Sequence, residues 1–250
     1  MQKKNHDGRI EMEQKVNGVV LSSRKHHESS RLVTILTADG VIGAFANGAE
    51  NPKSALFAGT QPFCFGEFIL TQSKGVYRVK SSDVQENFYH LRDNLSNLTL
   101  ANYLCELAGE GAGNDSAEIM RLLLNCLYLM SSGKYTDTFI KPVFELRLAC
   151  EAGYMPDLTA CGGCGEQNGK MYFDFDGELR CGECKRASCA PLSAEILNAM
   201  RKICSQRLEK IFRLGLDDEQ YMTLGRITEK YVLKVLDCRP ATLDYYKQLR

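Results

Sequence analysis

No run of about 18 apolar residues, the length needed to span a bilayer, occurs in this chain. Its opening stretch, residues 1–15, is polar and charged, so a signal peptide has no apolar segment to use. A reducing, cytosolic setting is expected, with no membrane contact. Catalytic signatures are also missing. The chain has no GxxxxGK loop ending in Ser or Thr, no GxGxxG and no GxSxG, which excludes the usual nucleotide and nucleophile-elbow enzymes. Histidine is scarce: His6, His26, His27 and His90 are the four, and none follows His90. His26 and His27 are adjacent and cannot face one metal from a strand, where neighbours point to opposite faces. No internal repeat or low-complexity segment is present, and no enzymatic activity is expected.

Net charge is absent overall, with 31 Lys/Arg against 31 Asp/Glu. It is unevenly spread. Residues 1–80 hold 11 basic and 7 acidic side chains, whereas residues 81–153 hold 5 and 10. A basic first part suits an anionic partner.

What the chain has in excess is cysteine, eleven in 250 residues. Two pairs stand out: Cys161-Gly162-Gly163-Cys164 and Cys181-Gly182-Glu183-Cys184. The C-x2-C-x16-C-x2-C spacing lets four thiolates close a tetrahedral shell around one Zn2+. Such a shell has no open position, so the zinc is read as structural. A redox Cys-x-x-Cys would need a thioredoxin-like βαβ setting, which the pattern lacks. Residues 170–180 alternate and turn at Asp176-Gly177, as a hairpin between the knuckles does. Asp174 and Asp176 are read as a solvated face of that hairpin. Cys189 is read as free, with a minor chance of competing as a ligand. Cys64, Cys105, Cys126, Cys150, Cys204 and Cys238 lie mostly in apolar stretches, as small hydrophobes.

Along the chain, residues 1–15 read as a flexible extension. Residues 16–82 hold five short β-rich runs: 16–22, 31–37, 41–46, 63–71 and 76–80. Turn signals part them at Asp39-Gly40, Asn47-Gly48, Asn51-Pro52 and Lys74-Gly75. This is the pattern of a small barrel, OB-type or SH3-like. Residues 83–250 read as a helical domain with a zinc-binding insertion at 154–190. Ile119, Leu122, Leu123, Cys126, Leu127 and Met130 recur at helical steps, as do Phe139, Val143, Leu146 and Cys150. Asp115 with Glu118 predicts a capping box, Gly153 a helix end, Ser193 an N-cap, and 218–236 a last helix before Pro240. The fold class is therefore α+β multidomain: an N-terminal β-barrel, then an α-helical domain carrying a four-cysteine zinc hairpin.

Basic candidates for phosphate binding are Arg24, Lys25, Arg31 and Lys53, at strand connections of the barrel. Phe45, Phe57, Phe63, Phe65 and Tyr77 are candidates for base stacking.

Several ordered segments carry a resemblance. They are Val19-Val20-Leu21 with Arg24, Glu28-Ser29-Ser30-Arg31-Leu32, and Thr34-Ile35-Leu36-Thr37 with Gly40. Gly48-Ala49 with Ser54, Gln61-Pro62-Phe63, Tyr103 with Glu106-Leu107, and Phe144-Glu145-Leu146 ending at Gly153-Tyr154 follow, before the cysteine quartet. In this order and spacing the chain resembles the RecO family of DNA-repair recombination mediators, in its zinc-bearing members, over about residues 16–250. The resemblance implies an N-terminal OB fold, binding of single- and double-stranded DNA, strand annealing, and recombinase loading on DNA coated by single-strand-binding protein. It also implies contacts with a RecR-like partner and with the C-terminal tail of single-stranded-DNA-binding protein. One departure is Glu50, where the family often places a basic residue. The acidic, apolar-ended tail requires an apolar cleft with basic residues at its edge; Arg121, Arg147 and Tyr103 are the candidates. The competing reading pairs those arginines with Glu118 and Glu151. Two alternatives to the mediator are a zinc-hairpin interaction module without DNA binding and a zinc-bearing NAD-dependent deacylase-like enzyme.

Overall fold

The computed structural model describes the backbone of residues 2–4 and 10–249, with side chains from residue 12 onward. The chain begins with β1 (Gln2–Lys4), β2 (Ile10–His26), β3 (Ser30–Thr37) and β4 (Gly40–Ala46). A one-turn helix α1 (Leu56–Gly59) precedes β5 (Phe65–Ser73) and β6 (Val76–Glu86). β2 pairs antiparallel with both β3 and β5, β3 with β4, and β5 with β6, while β4 and β6 pair in parallel. The pairings of these five strands thus return to their starting strand. One long strand can serve two neighbours because a bulge between Val20 and Ser22 bends it: Met12–Val19 meets β5 and Gly18–His26 meets β3. Alternation supplies the inner face. In β5, Gly66, Phe68 and Leu70 point inward between half-exposed neighbours. With Val20, Val33, Ile35, Ala44, Ala46, Cys64 and Val79 they form a closed core. Each large apolar side chain buried there contributes about 1.5–3 kcal/mol relative to exposure. Gly66 sits at a register shift, where a Cβ would fall 2.2 Å from the carbonyl oxygen of Asp83.

The expected flexible extension over 1–15 is corrected in part. Residues 10–15 belong to β2, and Gln2–Lys4 pair with Ile10–Met12; residues 1 and 5–9 lie outside the described residues. This segment lacks apolar alternation; its backbone ladder to β5 holds it, with Lys15–Glu67 at 2.7 Å and Glu13–Lys80 at 3.0 Å on the surface. His26 ends β2 and His27 lies in the turn that follows. His27 adopts φ 59°, which ends the alternation and leaves the two rings 4.2 Å apart.

A 3-10 turn (Tyr89–Asp93) leads to α2 (Leu95–Gly111) and α3 (Ala117–Ser131). Asn94 caps α2, accepting from the Asn97 amide at 3.1 Å. The α3 stripe is buried at all six expected positions. Its start is one residue later than the expected capping box: Ser116, not Asp115, precedes the first turn, and its Oγ donates to Gly113 O. Helix α7 (Ala241–Gln248) follows Pro240, beyond the helix expected to be last. Compact packing groups residues 1–131 with 242–250 and sets 132–241 apart, rather than dividing at 82/83.

The second unit holds α4 (Asp137–Glu151), β7 (Asp157–Cys161), β8 (Met171–Asp174), β9 (Glu178–Cys181), β10 (Ala190–Pro191), α5 (Ala194–Ser205) and α6 (Asp218–Val235). Helix α4 is buried around its whole circumference from Ile140 to Leu146, charged Lys141 and Glu145 included. Gly153, at φ 91°, ends the turn after α4, with the Tyr154 amide donating to Ala149 O at 2.8 Å. Ser193 caps α5, and Asp217 with Gln220 forms a capping box on α6. The short strands form one sheet ordered β10-β8-β9-β7. The doubly wound sheet that a deacylase would need is not among the described elements. Among the described residues no helix is long and apolar enough to cross a membrane.

Candidate metal centre and nucleic-acid interface

The four expected thiols converge. The sulfurs of Cys161, Cys164, Cys181 and Cys184 all lie within 4.8 Å of one another, with Cys164 and Cys181 at 3.6 Å. A tetrahedral shell with zinc–thiolate bonds of about 2.3 Å spaces its sulfurs about 3.8 Å apart. The donor set therefore fits a metal ion with small inward shifts. Cys161 ends β7, Cys181 ends β9, and each begins a knuckle turn. Backbone amides aim at the sulfur of Cys161, from Cys181 at 3.3 Å and Gly163 at 3.4 Å. These amides, Cys181 first, hold its thiol down to about 6. Hydrogen bonding to the other sulfurs, Cys164 first, pushes Cys184 up to about 12. Protons still on the sulfurs leave when a cation binds. Gly163 is required by close approach, since a Cβ there would meet the Cys184 sulfur at 3.0 Å. Cys189 accepts from the Arg186 amide and stands outside the quartet.

The hairpin is seated by β8 and β9. Phe173 is buried on its inner face and meets the Tyr231 ring of α6 edge-on at 5.2 Å. Asp174 corrects the expectation of a solvated pair: it is 3% exposed and lies 3.3 Å from Arg186 and 3.5 Å from Arg180. Asp176 is exposed but tied to Lys234 at 2.6 Å and Arg186 at 3.0 Å. These carboxylates fasten the hairpin and are not arranged for acid–base work.

The four basic candidates in the first unit do not form one patch. Arg24 and Lys25 lie on β2, not in a loop, and point to opposite faces. Lys25 is paired in register with Arg31, on the side of β3 shared by buried Val33 and Ile35. Arg31 is committed: its Nε donates to Glu50 at 2.8 Å, and its guanidinium lies over Phe57 at 5.1 Å. The departure at Glu50 thus has a structural partner. Lys53 is exposed in the following turn, where its amide binds Asn51.

Arg24 instead begins a row that crosses four strands. It is opposite Leu32 on β3, Leu32 is opposite Phe45 on β4, and Phe45 is opposite Arg78 on β6. Register partners share a face. Arg24 and Arg78 are exposed, Leu32 is 37% exposed, and Phe45 is half-buried with the His26 ring 4.8 Å from it. Neither arginine has an ion-pair partner among the described residues. Arg78 was missed because the parallel β4–β6 pairing that places it is not local in sequence. Among the other aromatic candidates, Phe63 is buried, Tyr77 packs on the core, and Phe65 lines a groove described next.

Two of the three partner candidates are corrected. Tyr103 is wholly buried in α2 and offers no surface. Arg147 is spent internally, on Glu151 at 2.6 Å and on the carbonyls of Ile203 and Gln206 at the end of α5. Arg121 is exposed, 3.5 Å from Glu118. It rims an open groove of about 520 Å³ floored by Phe65, Phe88, Met120, Leu124 and Tyr128.

Residues 12–88 match the family model described as Recombination protein O N terminal, and residues 92–242 match Recombination protein O C terminal. A protein named DNA repair protein RecO from Acetivibrio thermocellus is 31% identical over 94% of this chain and 96% of its own length. A protein of the same name from Caldicellulosiruptor saccharolyticus is 28% identical over 94% of this chain and 98% of its own. Two family models that together span most of the described residues, and relatives matched nearly end to end, lead to one conclusion: the chain belongs to the recombination protein O family, RecO.

Proposed function

We propose that this protein is a DNA-repair recombination mediator in the cytoplasm that binds single- and double-stranded DNA with little sequence preference. It pairs complementary strands and helps load recombinase on DNA coated by single-strand-binding protein, together with a RecR-like partner. In this reading the closed five-strand ring is an OB-type barrel, and the cysteine quartet holds one structural Zn2+. Relatives carry the name DNA repair protein. The observation that carries the DNA reading is the exposed row Arg24–Leu32–Phe45–Arg78. Two guanidinium groups flank an apolar and aromatic strip, which is the combination that neutralises phosphates and stacks bases without reading their edges. In this reading the protein acts by holding strands rather than by breaking bonds. For the tail of single-stranded-DNA-binding protein, Arg147 and Tyr103 are withdrawn, and the groove beside Arg121 is left to take its apolar end, with Glu86 and Glu118 also on the lining.

The test is anisotropy of labelled oligonucleotides across a salt series with the Arg24→Ala, Arg78→Ala double variant. Affinity should fall similarly for unrelated sequences. The slope of log affinity against log salt should shrink by about 1.4 on single strands for two lost contacts. An unchanged slope with the fold intact removes this face from the DNA interface.

A further inference from the structure

The outer face of the small sheet in the second unit brings two lysines over one aromatic ring. Lys170 immediately precedes β8, and Lys185 follows the second Cys-x-x-Cys pair. Between them stands Tyr172, half-exposed on β8. The Lys185 ammonium lies 4.4 Å from the ring centroid and donates to the phenol oxygen at 3.2 Å; the Lys170 ammonium lies 5.8 Å from the same centroid. Both lysines are exposed.

Other cations of the hairpin are neutralised within it. Arg180 lies 2.7 Å from Glu178, Arg186 lies 3.0 Å from Asp176, and Lys234 lies 2.6 Å from Asp176. Glu166, the nearest acid before Lys170, turns its carboxylate onto the amides of Gln167 and Asn168. Among the described residues neither Lys170 nor Lys185 lies within ion-pair distance of a carboxylate. Two ammonium groups crowded on one ring repel each other, and an anion between them removes that cost. The Tyr172 phenol is held below its usual range because Lys185 donates to it and the charge of Lys170 is close. Placement is fixed by the knuckle, since the Lys185 amide donates to Cys181 O at 3.0 Å. Closing the four thiolates on a metal therefore also fixes the backbone from which this ammonium reaches Tyr172.

We propose that Lys170, Lys185 and the Tyr172 hydroxyl form a second phosphate-binding site, which takes the backbone of a nucleic-acid strand and depends on the metal-held knuckle. Its choice of nucleic acid rests on the function proposed above. The row on the first unit is not needed to form it.

The experiment uses the full chain with its metal. Anisotropy of a labelled single-stranded oligonucleotide is measured across a salt series for wild type, Lys170→Ala/Lys185→Ala, Lys170→Arg/Lys185→Arg and Arg24→Ala/Arg78→Ala. The alanine pair should lose about 1.4 from the salt slope at unchanged zinc content, and the arginine pair should keep it. If wild type binds DNA and Arg24→Ala/Arg78→Ala lowers the slope while the lysine pair does not, the second site is wrong and the mediator stands. If wild type binds no DNA, both fall. Loss of zinc from the alanine pair would show that the lysines only offset the charge of the thiolate shell, and would overturn the proposal. Displacement of the lysine-dependent contacts by inorganic phosphate, at ionic strength matched with chloride, would reassign the site to a small anion and likewise overturn it.

Discussion

Replacing Lys141 by Met should cost the second unit more than any other single charge removal described. The Lys141 ammonium lies 2.6 Å from Glu145 and 2.8 Å from Glu229, and the Glu145 side chain is wholly buried. Methionine keeps most of the apolar stem and removes the charge. Glu145 then retains the Thr228 hydroxyl, donated at 2.7 Å, but loses its cation. Breaking a buried pair from one side costs about 3–5 kcal/mol, because the remaining charge stays desolvated. For a unit of this size that is a fall in Tm on the order of 10–20 °C. The pH dependence supplies a second readout. Burial alone would lower the Lys141 pKa, but Glu145 and Glu229 together raise it above the ordinary lysine value. Its stabilisation is therefore complete below the unfolded lysine pKa, about 10.4, and disappears only as pH rises through the folded value. Wild type should show no change from this group between pH 5 and 8. In the variant, burial raises the pKa of the uncompensated Glu145 above its unfolded value, so stability lost at pH 7 returns as pH falls. The Lys141→Met/Glu145→Met double variant should recover much of the loss. Calorimetry at pH 5 and 7 decides. A single variant that melts with wild type at pH 7, or a loss that does not shrink at pH 5, refutes the reasoning.

Protein purified without chelator should carry one zinc per chain by elemental analysis; a clear deficit contradicts the four-thiolate shell. Cys181→Ser should release the metal and loosen α6 as well as the hairpin, since Phe173 packs on Tyr231, and slowed exchange at α6 amides in the variant would argue otherwise. Glu50→Gln should free the Arg31 guanidinium, cost about 1 kcal/mol of stability, and steepen the salt dependence of DNA binding by up to about 0.7 on single strands. An unchanged slope places Arg31 away from DNA. Gly177→Ala should destabilise the hairpin, because φ is 91° and a Cβ would meet the Tyr231 hydroxyl at 2.9 Å; equal melting of variant and wild type refutes this.

Local patterns carried much of this structure. The α3 stripe was legible because six apolar residues at helical steps leave little else for the segment to do. The convergence of the cysteine quartet was legible because its spacing is the one that metal chemistry demands. What failed was information held between distant segments. The polar first half of β2 is a strand because β5, more than fifty residues away, supplies its backbone ladder. Arg78 joins the exposed row of Arg24, Leu32 and Phe45 through a parallel pairing that no local pattern reports. Tyr103 looked amphipathic in sequence, yet its helix buries that face. The Arg147–Glu151 pair was legible as a neighbouring carboxylate on the same helix, whereas the two carbonyls at the end of α5 that also hold Arg147 were not.

Helix α7 has a consequence for the order of synthesis. It belongs with residues 1–131, where the Thr242 amide and hydroxyl both bind the Glu106 carboxylate of α2, the amide at 3.0 Å. All of residues 132–241 are made before it. The first unit therefore lacks its last helix until the whole of the second has been made. Translational pausing or truncation just before residue 241 would leave the incomplete body at the beginning of the chain, not at the end.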